Sequence, residues 1–69
     1  VVSPNPVTHQ IYIHADQTPE RIDVIDVKGQ VVKAVLGTNT IDFSNMEASI
    51  YLLRIKLANQ EVVKRIIKL

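Results

Sequence analysis

Ile50-Tyr51-Leu52-Leu53-Arg54-Ile55-Lys56-Leu57 decides the fold class. Tyr51, Leu53, Ile55 and Leu57 fall on one side of a two-residue repeat, while Arg54 and Lys56 fall on the other. That period belongs to a β-strand with one face buried and one partly wet, and not to a helix. The next stretch, Glu61-Val62-Val63-Lys64-Arg65-Ile66-Ile67-Lys68-Leu69, is rich in β-branched residues and reads as a strand running to the last residue. Upstream, Arg21-Ile22-Asp23-Val24-Ile25-Asp26 alternates with Ile22 and Val24 as core residues, and Gln10-Ile11-Tyr12-Ile13-His14 places Ile11 and Ile13 on one side. Gln30-Val31-Val32-Lys33-Ala34-Val35 and a short Thr40-Ile41-Asp42-Phe43 complete the set. About six or seven short strands with turns every ~8–12 residues predict an all-β fold, a small antiparallel Ig-like β-sandwich. No helix of normal length is expected.

The connections carry their own signals. Asp26-Val27-Lys28-Gly29 has Asp at the first and Gly at the fourth position of a type I turn, as a tight hairpin requires. Leu57-Ala58-Asn59-Gln60 offers Asn59 for a left-handed conformation in the last hairpin. Gly37-Thr38-Asn39 reads as a looser loop. Ser44-Asn45-Met46-Glu47 matches a capping box, which predicts one helical turn with Met46 dipping into the core.

With 69 residues the chain makes one small domain, residues 1–69, and it holds no cysteine. A chain of this size buries only about 60% of its unfolded surface, so its stability belongs at the low end of the usual ~5–15 kcal/mol. Without cysteine there is no disulfide and no thiolate metal site. Eight basic and seven acidic residues leave a net charge of +1, which argues against a nucleic acid or an anionic membrane held by bulk charge. No apolar run approaches the ~20 residues that span a bilayer as a helix. The chain opens Val1-Val2 without an initiator methionine and reads as a piece of a longer protein.

Catalytic and ligand-binding patterns are weak. His9 and His14, the two histidines, lie five residues apart and are expected on opposite faces of a strand, which disfavours a shared metal. The acids form no pair suited to acid–base chemistry, and Asp42 with Asn39 and Asn45 lacks regular calcium-ligand spacing. Ser3, Ser44 and Ser49 have no histidine base in a recognisable motif. Gly29 and Gly37 are the only glycines, so no phosphate loop exists, and Tyr12, Phe43 and Tyr51 are too few for a stacking platform. No cofactor, metal or enzymatic activity is expected. Lys64, Arg65 and Lys68 on the terminal strand support two readings, a charged edge that deters sheet-to-sheet aggregation or a basic recognition face.

Four blocks also stand in a specific order: Ser3-Pro4-Asn5-Pro6-Val7, then Ile25-Asp26-Val27-Lys28-Gly29-Gln30-Val31-Val32, then Ile41-Asp42-Phe43-Ser44-Asn45-Met46 leading to Ile50-Tyr51-Leu52, and last Lys64-Arg65-Ile66-Ile67-Lys68. This series resembles the C-terminal sorting domain of type IX secretion cargo, type A, also called the Por secretion system C-terminal sorting domain. The resemblance covers essentially the whole chain. It implies a compact sandwich at the C-terminus of a larger secreted protein. Its N-terminal cargo, already in the periplasm, is directed through the outer-membrane translocon, after which a sortase-like cysteine peptidase usually removes the domain. The cargo ends up secreted or on the cell surface, and the domain itself does not insert into the membrane.

Carried onto this chain, the resemblance implies that Pro4 and Pro6 fix an extended approach with Asn5 tying down the backbone between them. It also implies that Asp26 and Gly29 close the central hairpin, that Tyr51 is a core aromatic, and that Lys64, Arg65 and Lys68 lie where recognition is centred. Two positions depart from the family pattern. Ser49 stands where glycine usually precedes the Ile-Tyr step, which requires either a negative φ or some strain, and Asn59-Gln60 stands for Asn-Gly in the last turn. The alternative function is an Ig-like or fibronectin-like spacer or adhesion module of a surface protein. Apolar residues on both faces of the terminal strand (Val62, Val63, Ile66 and Ile67) further predict a homodimer through a strand edge.

Overall fold

The structure is a computed structural model that describes residues 2–69. Seven strands form: β1 (Val2–Ser3), β2 (Gln10–Ile13), β3 (Arg21–Ile25), β4 (Val31–Leu36), β5 (Thr40–Asp42), β6 (Ser49–Lys56) and β7 (Glu61–Lys68). No helix forms among the described residues. The strands make two sheets, a three-stranded β1-β2-β5 and a four-stranded β4-β3-β6-β7, with antiparallel pairing throughout both. This is the expected small β-sandwich. Relative to the constant-type immunoglobulin arrangement, the fourth strand here extends the sheet of β3, β6 and β7 instead of the sheet of β1, β2 and β5.

The two-residue alternation sets what each sheet buries. Ile11 and Ile13 from β2 and Ile41 from β5 meet Ile22 and Val24 from β3, Tyr51, Leu53 and Ile55 from β6, and Ile66 from β7. Phe43 closes the core at its centre with no exposure, its ring edge-on to Tyr51 at 5.8 Å between centroids. An edge-to-face pair sets the positive rim of one ring against the negative face of the other. The Tyr51 hydroxyl, which must find a partner once buried, donates to the Glu47 carbonyl at 2.8 Å. Burial, helped by the nearby charges of Glu47 and Asp26, pushes that hydroxyl above the ordinary tyrosine range.

The central hairpin forms as expected. Gly29 N–H donates to the Asp26 carbonyl at 3.0 Å, and the Asp26 carboxylate accepts from the amides of Lys28 and Gln30. Gly29 has φ +83°, a region that L-residues avoid, so glycine is required there. Ser49 has a negative φ, since no non-glycine residue among those described has a positive one. Ser49 therefore takes this position without the strain of a positive φ.

Three local expectations are corrected. Asn59 does not adopt the left-handed conformation. Leu57 N–H closes the last turn onto the Gln60 carbonyl at 2.8 Å and the Gln17 side chain braces it at the Ala58 amide, so no residue has to take a positive φ. The capping box of Ser44 and Glu47 does not form either. Asp42 accepts from both the amide and the hydroxyl of Ser44, which leaves a non-helical turn with Met46 half-buried against the core. The proline-flanked segment is not extended: both prolines follow cis peptide bonds, and the chain bends at Asn5 and Pro6.

Tyr51→Ala removes a large side chain from the middle of the core and should lower stability by ~3–5 kcal/mol. Tyr51→Phe keeps the ring and loses one hydrogen bond, a cost of about 1 kcal/mol. Thermal melts of the two variants should separate widely in this order; equal melting temperatures would show that the hydroxyl, and not the ring, carries the contribution of Tyr51.

Candidate recognition site at the terminal strand

β7 pairs with β6 along its whole length, from Ser49 opposite Lys68 to Lys56 opposite Glu61. Its other edge would be open, and open edges invite pairing with foreign strands. Here the N-terminal segment closes half of it. After β1 leaves the first sheet, the Asn5 side chain accepts from Ile67 N–H at 3.0 Å and donates to the Arg65 carbonyl at 3.2 Å. Val7 continues the same ladder, donating to the Ile67 carbonyl at 2.8 Å and accepting from Leu69 N–H at 3.0 Å. Val7 and Lys68 thus form a parallel bridge, with Val7 fully buried. The Asn5 carboxamide contacts the groups on either side of Ile66 as a backbone peptide of a parallel strand would. Its expected task of tying down the backbone between the prolines is replaced by this longer reach.

The three basic residues of the terminal strand do not share one face. Register places Lys64 opposite Leu53 and Lys68 opposite Ser49, on the side of the sheet that carries Leu53, Tyr51 and Ile66, whereas Arg65 sits opposite Leu52 on the outer side. Lys68 is buried, at 9% exposure, and its ammonium donates to the Leu69 main-chain oxygen at 2.7 Å. Lys64 and Arg65 are exposed. Of the three, Lys68 behaves as a structural residue at the margin of the sandwich, and Arg65 alone projects from the outer face.

The outer face also holds a buried acid that the alternation assigns to solvent. Asp23, 4% exposed, lies between Arg21 and Arg54. Its two oxygens accept from Arg21 Nε at 2.8 Å and from Arg54 at 2.9 and 3.2 Å. Arg21 is two residues away on the same strand, and Arg54 is the cross-strand partner of Asp23. The pattern Arg21-x-Asp23 beside a strand with a central Arg54 was the available signal. Burial raises the Asp23 carboxyl, but the bonds and charges of Arg54 and Arg21 outweigh it and hold the group below the usual aspartate value.

The histidines lie apart from this strand. His14 is within hydrogen-bond distance of the Ser3 hydroxyl at 2.8 Å and His9 of the Thr8 hydroxyl at 3.1 Å. Among the described residues, no three His, Cys, Asp or Glu side chains gather as metal ligands.

A two-sheet antiparallel sandwich whose N-terminal segment seals the edge of its C-terminal strand defines the class: a small all-β module with its two ends stitched together. A family model described as the secretion system C-terminal sorting domain matches residues 1–69, the whole chain, and the chain belongs to that family. It is a type IX secretion C-terminal sorting domain. Membership implies association with a type IX secretion system and with an N-terminal cargo, and export to the cell surface or beyond. Domains of this kind are typically non-catalytic. No curated protein sequence matches the chain.

Asn5→Ala removes two hydrogen bonds to the β7 backbone and should destabilise the domain by about 1–2 kcal/mol. At ~4–8 °C per kcal/mol for a domain of this size, the loss is readable in a thermal melt; an unchanged melting temperature would mean that the clamp adds nothing.

Asp23 predicts the acid limb of stability. A carboxyl held below its unfolded value stabilises the fold above that value, and the contribution disappears as pH falls through the folded-state value. Melting temperature should therefore fall below about pH 4, and Asp23→Asn should flatten that fall while lowering the neutral-pH plateau. An unaltered acid slope in the variant would remove Asp23 as its source.

Proposed function

We propose that this domain is a C-terminal address read in its folded form. It carries its N-terminal cargo through the periplasm, presents the terminal strand to the outer-membrane translocon, and is then removed by a sortase-like cysteine peptidase. The family match over residues 1–69 carries the reading. The clamp between Asn5 and β7 supports folded-state recognition, because the segment that would follow the cargo and the terminal strand are bonded to each other. A homodimer through a strand edge would use residues 61–64 of β7 or the outer edge of β4, which the N-terminal segment leaves open.

Fusion of residues 1–69 behind a periplasmic reporter should send the reporter out of a type IX-competent cell, with the reporter recovered outside free of the domain. Asn5→Ala, grown at a temperature where it remains folded, should export less. Reporter that stays in the periplasm with the intact domain attached would favour the spacer reading instead.

A further inference from the structure

The outer face of the four-stranded sheet divides into two unlike halves. Register aligns Leu36, Arg21, Lys56 and Glu61 in one cross-strand row and Ala34, Asp23, Arg54 and Val63 in the next, so that charged side chains stand between the exposed Leu36 and Val63 at the two sheet edges. In that half Asp23 ties up both Arg21 and Arg54. The following row runs Val31, Ile25, Leu52 and Arg65 across all four strands, and Ile50 with Ile67 extends it. Here Val31, Ile50, Leu52 and Ile67 are 49%, 46%, 39% and 38% exposed, whereas Ile22, Val24, Leu53, Ile55 and Ile66 on the opposite face are buried, with Val35 and Val62 partly so. Single exposed apolar residues are ordinary, but adjacent rows of them on one sheet face mark an interaction surface.

Arg65 is the only charge within the apolar half. Unlike Arg21 and Arg54, its guanidinium forms no ion pair among the described residues. The neighbouring edge cannot serve the same stretch of β7, since Asn5 and Val7 already occupy the Arg65 carbonyl and the main chain of Ile67. The C-terminal half of β7 is thus closed at its edge and open on its outer face.

The geometry points to this face, formed by Ile25, Ile50, Leu52, Ile67 and Arg65, as the docking surface for a protein partner that presents a carboxylate amid apolar side chains. Charge selects the occupant. A second copy stacked on the same patch would bring two arginines together with no acid inside the patch, and like charges facing each other in an interface oppose association. An acidic group on a foreign chain would instead find a planar guanidinium able to bind it through two parallel hydrogen bonds, surrounded by apolar rows that exclude water. The inference deepens the sorting reading and rests on it: the partner is a component of the secretion machinery, and Arg65 is the contact that orients the domain on it.

The test compares export of the reporter fusion for the unaltered domain, Arg65→Glu, Arg65→Lys, and Ile50→Ser with Ile67→Ser. Melting and sedimentation are measured on each isolated domain. The unaltered domain should export, while Arg65→Glu and the double serine variant should lose about tenfold or more, the equivalent of 1.4 kcal/mol of binding, with melting curves that remain cooperative. Arg65→Lys, keeping charge but not the fork, should fall between. Suppressors of Arg65→Glu should replace an acid by a base in a secretion component. Normal export of both Arg65→Glu and the double serine variant beside an exported unaltered domain would overturn this surface and leave the sorting function standing. Dimerisation of the unaltered domain that the double serine variant abolishes would replace the foreign partner with a second copy. Failure of the unaltered fusion to export would overturn the sorting reading and this inference with it.

Discussion

The carboxamide of Asn5, bonded to the Arg65 carbonyl and to the Ile67 amide, is the contact on which the architecture turns. A sandwich of seven short strands has four sheet edges, and the longest of those at risk is β7, eight residues with branched apolar side chains on both faces. A backbone strand could not easily begin pairing between two prolines, which lack the N–H that a ladder needs. The side chain of Asn5 supplies both donor and acceptor instead, and Val7 takes over with its own backbone one rung later. The first segment thereby crosses from the β1-β2-β5 sheet to the edge of the other sheet and joins the two layers at one side. Val7 enters the core fully buried as a consequence, beside Ile66 and Phe43 in the same cluster.

Sealing the edge changes what β7 can offer a partner. Its main chain is committed at Arg65, Ile67 and Leu69, so contact with the C-terminal half has to be made through side chains on the outer face. Those side chains differ in kind across the sheet. Asp23 neutralises the arginines near one end, a buried acid whose two oxygens are both satisfied, while Arg65, among the described residues, has no ion-pair partner at the other. A terminal strand that resembles a run of positive charge in the sequence therefore presents one arginine outward, one exposed lysine on the reverse side and one buried lysine.

The sheet composition was legible because it follows from a period of two: Tyr51, Leu53 and Ile55, like Ile11 and Ile13, point inward where the alternation puts them. The Asp26 to Gly29 turn was legible because its geometry is local and demands particular residues. β1 was not foreseen as a strand, since two residues, Val2 and Ser3, show no period and exist as a strand only by pairing with Tyr12 and Ile13. Asn59 and the Ser44 capping box failed for a related reason. Each was a sound local preference overridden by a neighbour at a distance or a competing acceptor, Gln17 in one case and Asp42 in the other. Asn5 was marked as important by its motif, but its partners lie about sixty residues away along the chain and only the folded structure identifies them. The burial of Asp23 is not legible, because alternation reports which face a side chain takes and not what covers that face, here Arg21 and Arg54.

Amide hydrogen exchange along β7 reports directly whether the N-terminal segment and the terminal strand form one hydrogen-bonded unit. Val63, Arg65 and Ile67 all direct their amides to the same outer edge by alternation, and among the described residues only Ile67 of these meets an acceptor, the Asn5 side chain. Exchange should be slow at Ile67 and at Leu69, which donates to Val7, and fast at Val63 and Arg65 on the same strand. Exchange at Ile67 as fast as at Val63 would contradict this, because β7 would then be an open edge and the two ends of the chain would be independent.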